Sequence, residues 1–146
     1  MSSYLEDLTD DDLLVRPVDG AHHAAWQLGH LISSESQMIE GIRPQAQQLV
    51  ARDFARRHDK SRAFESADLW EVSKSEYLTL MELVRSATLN LLRELSEDEL
   101  SAAGPEFMRK YAPTVGSVFT SIGSHELLHA GQIAVIRRKL GKPVII

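Results

Sequence analysis

Cysteine is absent from the 146-residue chain, which excludes disulfides and thiolate metal ligands. Any metal here would have to be held by histidine and carboxylate. No stretch approaches the roughly 18 consecutive apolar residues of a membrane span, and the opening MSSYLEDLTDDD lacks the apolar core of a signal peptide. These absences predict a cytoplasmic protein that makes no membrane contact. Convincing period-two alternation is missing too, so no strand is expected. Nor is there an excess of positive charge. Lys and Arg number 16 against 21 Asp and Glu, a net charge of −5, which argues against nucleic-acid binding by phosphate neutralisation. The basic residues Arg52, Arg56, Arg57, Lys60 and Arg62 are interleaved with Asp53 and Asp59, the pattern of a solvated face.

What the chain does have is helix signal over a length that can bury a real core as one domain, residues 1–146. Thr9 can cap a short acidic turn, Asp10 to Leu14, ahead of the loop Arg16-Pro17-Val18-Asp19-Gly20. A helix is predicted from about Ala24 to Ile42, closed by Gly41 and Pro44. Residues 44–57 read as a weaker helix and 59–68 as a loop. Between Ser73 and Leu95 the residues Tyr77, Leu80, Met81, Val84, Ala87, Leu91 and Leu92 recur at helical spacing. Ser96 caps a second acidic turn. Gly104-Pro105 and Pro113 bracket a connector, and Thr114 caps a last helix from Val115 to Leu140, ended by Gly141 and Pro143. The sum is an all-α helical bundle.

The chemistry sits on that last helix. At about 100° per residue, Val118, Ile122, His125, His129, Ile133, Ile136 and Leu140 share one narrow sector. His125 and His129 lie one turn apart and face the core, a geometry in which two imidazoles can chelate one divalent ion. The string His125-Glu126-Leu127-Leu128-His129 also matches the H-E-x-x-H of zinc peptidases. That reading requires a downstream ligand, and no His, Asp or Glu follows His129; the position that an extended peptidase motif would fill is Val135. Glu126 projects away from the histidine direction, as a solvated or ligand-supporting carboxylate would. A third ligand must therefore come from upstream, where His22, His23, His30, His58 and carboxylates are the candidates. His58 lies in a charged stretch and is expected to be exposed, whereas His22 and His23 stand at a helix start, placed to cap it or face water. His30 shares a helix face with Trp26, Ser33, Ser34, Gln37 and Gly41, a stripe suited to a pocket wall.

The segments Arg16-Pro17-Val18-Asp19-Gly20, Ala25-Trp26-Gln27-Leu28-Gly29-His30-Leu31, His125-x3-His129-Ala130-Gly131-Gln132-Ile133 and Arg137-Arg138-Lys139-Leu140-Gly141 together resemble the DinB-like superfamily, the DinB/YfiT-like metalloenzymes. The resemblance covers most of the chain and is thinnest between Pro44 and Asp68. It implies an up-down-down-up four-helix bundle with one divalent transition metal (Zn, Ni or Fe) on His30, His125 and His129. Related families include S-transferases that use bacillithiol, mycothiol or glutathione, and a mycothiol-dependent maleylpyruvate isomerase. The expectation is thus a metal-dependent thiol S-transferase or hydrolase-type enzyme acting on a small molecule, with a low-molecular-weight thiol as cosubstrate. Trp26, Ser33, Ser34, Gln37 and Tyr111 would line the pocket, and Glu126 and Gln132 would support the ligands. A non-catalytic metal-binding or interaction bundle is the alternative, and a metallopeptidase the remote one. Only Met1 to Leu8 precede Thr9, so the first helix of the bundle is expected to be short or truncated. The aliphatic surface this leaves uncovered predicts a homodimer.

Overall fold

The computed structural model describes residues 1–44, 49–65, 73–143 and 145. These form helices α1 (Ser2–Leu5), α2 (Asp10–Leu13), α3 (Ala24–Ile42), α4 (Arg52–Arg57), α5 (Lys74–Glu94), α6 (Glu97–Ser101) and α7 (Val115–Lys139). Single 3-10 turns lie at Lys60–Arg62 and Glu106–Met108. Among the described residues there is no strand, only one isolated bridge between Ala103 and Thr114. No described helix is long and apolar enough to cross a membrane.

Helix starts follow the local chemistry of the chain. Thr9, Ser73, Ser96 and Thr114 each cap the helix that follows, and the residue three positions on closes the box by accepting from the cap's backbone N–H. Each such cap contributes about 1 kcal/mol. The α3 cap is different in kind: His23 accepts the Trp26 backbone N–H through Nδ1 at 3.1 Å. At the far end of α7, Gly141 takes φ +69° as the predicted helix stop.

Gly41 departs from its expected role. It lies inside α3, and a Cβ there would come within 2.8 Å of Phe107 and 3.0 Å of Pro105. The glycine makes room for the 105–107 connector to cross the helix. Of the weaker helix read over 44–57, only Arg52–Arg57 is helical among the described residues, and 45–48 lie outside them. The loop read over 59–68 contains a 3-10 turn, with 66–68 outside the described residues. Leu92 belongs to the predicted apolar stripe but is exposed, and the buried position on that side of α5 falls to Thr88.

Two apolar clusters set the helix directions. Leu28 and Ile32 of α3, Tyr77 and Val84 of α5, and Ile133 and Ile136 of α7 meet in the larger one, roofed by Leu5, Leu8 and Leu13 from the amino-terminal segment. Ile39, Leu91, Val118 and Ile122 form the smaller one. Helices α3 and α5 therefore run the same way, and α7 runs against both. The long connection from 43 to 73 permits the parallel pair. Buried Arg137 of α7 pins the amino-terminal segment in place. It ion-pairs with Asp7 and donates to the carbonyl oxygens of Tyr4 at 2.8 Å and Pro143 at 3.1 and 3.2 Å.

A polar layer separates the clusters. Along α3 it is Glu35, between Ile32 and Ile39; along α5, Arg85 and Thr88; along α7, residues 125–129 between Ile122 and Ile133. Buried polar groups of this kind must be satisfied by one another or by a ligand, and the layer has two parts, one on either side of α7.

Candidate metal centre

On the α5 side the layer satisfies itself. Arg85 donates to both oxygens of the Glu35 carboxylate, at 3.0 and 2.9 Å, and to Glu126 Oε2 at 2.6 Å. Thr88 adds a hydroxyl to Glu35 at 2.7 Å. One guanidinium thus joins α3, α5 and α7. Glu126 faces Arg85, so its carboxylate serves as a tie between helices rather than as the base that a peptidase would aim at a metal-bound water.

On the other side of α7 the layer is made of imidazoles. His30, His125 and His129 each offer a ring nitrogen, and these atoms all lie within 4.8 Å of one another. The Nε2 atoms of His125 and His129 are 3.2 Å apart. Three nitrogens held about 2.1 Å from a tetrahedral ion would stand about 3.4 Å from each other. The late pair already has that spacing, and the His30 ring needs to close by at most about 1.4 Å, within the reach of a rotamer adjustment. The donor set fits a divalent transition ion.

The orientation of His129 is set by Gln27. The Gln27 amide N–H donates to the His22 carbonyl at 3.1 Å, which leaves Gln27 Oε1 as an acceptor toward His129 Nδ1 at 3.0 Å. Nδ1 must then carry the proton, and the Nε2 lone pair points at His125. Two bare nitrogens at 3.2 Å repel, so a proton on His125 or a cation between the rings is needed there. Trp26 positions His30. Its indole lies parallel to that imidazole with centroids 4.8 Å apart, and its Nε1 donates to the Asp59 carbonyl at 3.2 Å.

Burial keeps all three imidazoles neutral. It pushes His30 down to about 4, helped by His125 and Lys60. It pushes His129 down to about 3, helped by His125 and His30. His125 is lowered by burial and then by Lys60. Neutral imidazoles present lone pairs at physiological pH, the state a metal ligand requires.

The other upstream histidines have different work. His22 packs its ring on Trp26 and Phe64, at 4.3 and 5.0 Å. His23 caps α3. His58 corrects the reading of its charged neighbourhood: it is 1% exposed, not solvated. Its Nδ1 meets the Phe54 carbonyl at 2.8 Å and its Nε2 the Tyr77 hydroxyl at 2.9 Å. The ring occupies the space above Gly29, where an added Cβ would fall 1.9 Å from His58 Cδ2. The glycine of the Gly29-His30 pair therefore holds a second, structural histidine.

His30 and His125 open onto a cleft of about 860 Å³, within the range of small-molecule sites. Ser33, Ser34, Gln37 and Tyr111 line it, while Trp26 lies buried behind His30. Gln132 is exposed on α7 and is not among the residues lining the cleft. Arg52, Arg56 and Lys60, read from the sequence as a solvated face, are on the cleft wall. The sequence reading also passed over Gln27, Glu35 and Arg85. Gln27 falls three residues before His30, and that proximity was the one available signal. The loop Arg16–Gly20 has a physical role as well. Arg16 donates to the Ala21, Ala63 and Glu65 carbonyls at 2.6 to 3.3 Å, tying the start of α3 to the crossover.

Fold and site together define an all-helical protein with a three-histidine candidate metal centre at the head of an open cleft. Residues 1–133 match the DinB superfamily, and the chain belongs to it. No curated protein and no solved structure matches the chain.

Proposed function

We propose that the chain is a metal-dependent enzyme of the thiol S-transferase class, holding one divalent transition metal on His30, His125 and His129 and acting on a small molecule. The observation that carries this reading is the convergence of three neutral imidazoles within 4.8 Å at the mouth of a cleft, instead of in a closed core. When bound, such an ion supplies Lewis acidity and stabilises a thiolate in place of a thiol. Gln27 holds His129 in the ligating tautomer, Trp26 fixes the plane of His30, and Ser33, Ser34 and Gln37 offer hydrogen bonds to whatever occupies the cleft. The opposed direction of α7 to α3 and α5 supports the down-down-up part of the four-helix arrangement. A homodimer belongs to the same proposal. Leu127, Leu128 and Val135 are 75%, 58% and 46% exposed and lie within about 100° of one face of α7, and a second copy packed there would cover them.

Metal analysis of untagged protein tests the centre. One equivalent is expected in the wild type and less than a tenth in His129→Ala, with the helical circular dichroism unchanged; full metal content in the variant would refute the assignment. Thiol consumption against a panel of electrophiles, with and without added Zn, Ni or Fe, tests the activity. Sedimentation equilibrium tests the dimer.

A further inference from the structure

The cleft carries charge that three imidazoles do not account for. Arg52 of α4 and Lys60 of the following 3-10 turn line it together with His30 and His125. Neither has an ion-pair partner among the described residues. The remaining charges of the wall are engaged. Arg56 pairs with Asp53 at 2.8 Å. Asp59 accepts the Ser61 backbone N–H at 2.9 Å and its hydroxyl at 2.6 Å. Glu40 accepts the Ser36 hydroxyl at 3.4 Å. On the same wall, the Ser33 hydroxyl has no hydrogen-bond partner among the described residues.

Unpaired cations in a concave site raise the local concentration of small anions. An arginine fork matches the two oxygens of a carboxylate, and a lysine adds a point charge to either of them. The net charge of −5 and the size of the cleft exclude a polyanion as the intended occupant. We propose that Arg52 and Lys60 form a carboxylate subsite, so that the cleft takes a small carboxylate-bearing molecule whose other end reaches the three histidines. This rests on the preceding reading for the group held at the histidines, but not for recognition of the carboxylate.

Calorimetry on zinc-loaded protein compares mercaptosuccinate with 2-mercaptoethanol, in the wild type and in the double variant Arg52→Gln, Lys60→Gln. Mercaptosuccinate is expected to bind at least tenfold more tightly to the wild type. In the double variant the two thiols should come within threefold of each other, with zinc content and 2-mercaptoethanol affinity unchanged. A preference that survives in the double variant would come from chelation by the ligand itself and would overturn the subsite. Succinate, which keeps the carboxylates and lacks the thiol, is the separating arm. If neither thiol binds, the thiol reading fails. The subsite then stands only if succinate binds the wild type at least fivefold more tightly than the double variant.

Discussion

Gln27 offers the sharpest test of the proposed metal centre, because it touches the ligand set without belonging to it. Its side chain is 2% exposed and bridges the His22 carbonyl to His129 Nδ1 at 3.1 and 3.0 Å. Gln27→Leu keeps the approximate volume and deletes both bonds. A neutral hydrogen bond contributes about 1 kcal/mol net, and loss of the group that orients a metal-bound histidine costs about 10- to 100-fold in affinity, equivalent to about 1.4–2.7 kcal/mol. Competition against a chromophoric chelator should therefore show a zinc affinity 10- to 100-fold weaker. Gln27→Glu separates orientation from general damage. Its carboxylate still accepts from His129 Nδ1 but can no longer donate to the His22 carbonyl. Its zinc affinity should stay within threefold of wild type or rise, while the melting temperature drops in both variants. If Gln27→Leu binds zinc within twofold of wild type, the tautomer argument is wrong. If Glu and Leu lose affinity equally, Gln27 acts through packing alone.

Gly29→Ala forces a Cβ into the His58 ring, since the 1.9 Å approach leaves no room for a small adjustment. A loss of at least about 1–3 kcal/mol is expected from overpacking, read as a fall in urea midpoint, and an unchanged midpoint would refute the placement of His58. Glu35→Ala leaves Arg85 and Thr88 without their shared acceptor in the polar layer. It should cost about 2–4 kcal/mol, whereas Glu126→Gln, which leaves the Glu35 pair intact, should cost less than half as much and preserve metal content. Acid should destabilise the metal-free protein through His23 and His58. Burial holds both at about 4, while the unfolded imidazole titrates near 6.5. Their contribution is complete above about pH 6.5 and is lost as the pH falls through about 4, because only the unfolded chain takes up the protons in between. The slope should reach about 1.4 kcal/mol per pH unit for each histidine. Denaturant midpoints that do not move between pH 7 and 5 would contradict it.

Helices α3, α5 and α7 were legible in the sequence to within a residue or so at each end, because Thr114 and Ser73 advertise helix starts and apolar spacing carries the interior. The candidate ligand pair was legible for the same reason, since His125 and His129 occupy core positions of a periodic stripe. His30 could not be chosen from His22, His23 and His58 by periodicity. All four precede the late pair by long stretches of chain; the family resemblance singled out His30, and the packing of α3 on α7 is what brings it to the late pair. His58 was misread because its neighbours in sequence are charged. Its neighbours in space are Phe54, Tyr77 and the bare backbone of Gly29. The cationic wall of the cleft was hidden in the same way. A short helix and a 3-10 turn carry Arg52 and Lys60 around to the mouth of the site, and nothing local in 52–62 indicates what that segment faces.

The alternation of residues 125–129 explains how one turn of α7 serves both sides of the polar layer. His125 and His129, four apart, point at α3; Glu126, about 100° around the helix from His125, points at the Arg85 of α5. The ion pair therefore fixes the rotation of α7 about its axis. A turn of α7 that brought Glu126 into the metal site would break the 2.6 Å contact with Arg85 and swing both imidazoles off their line to His30. The H-E-x-x-H string thus serves two independent purposes in the proposed centre, ligation by the histidines and helix registration by Glu126. Its likeness to a peptidase signature follows from the spacing that one helical turn imposes on any pair of ligands.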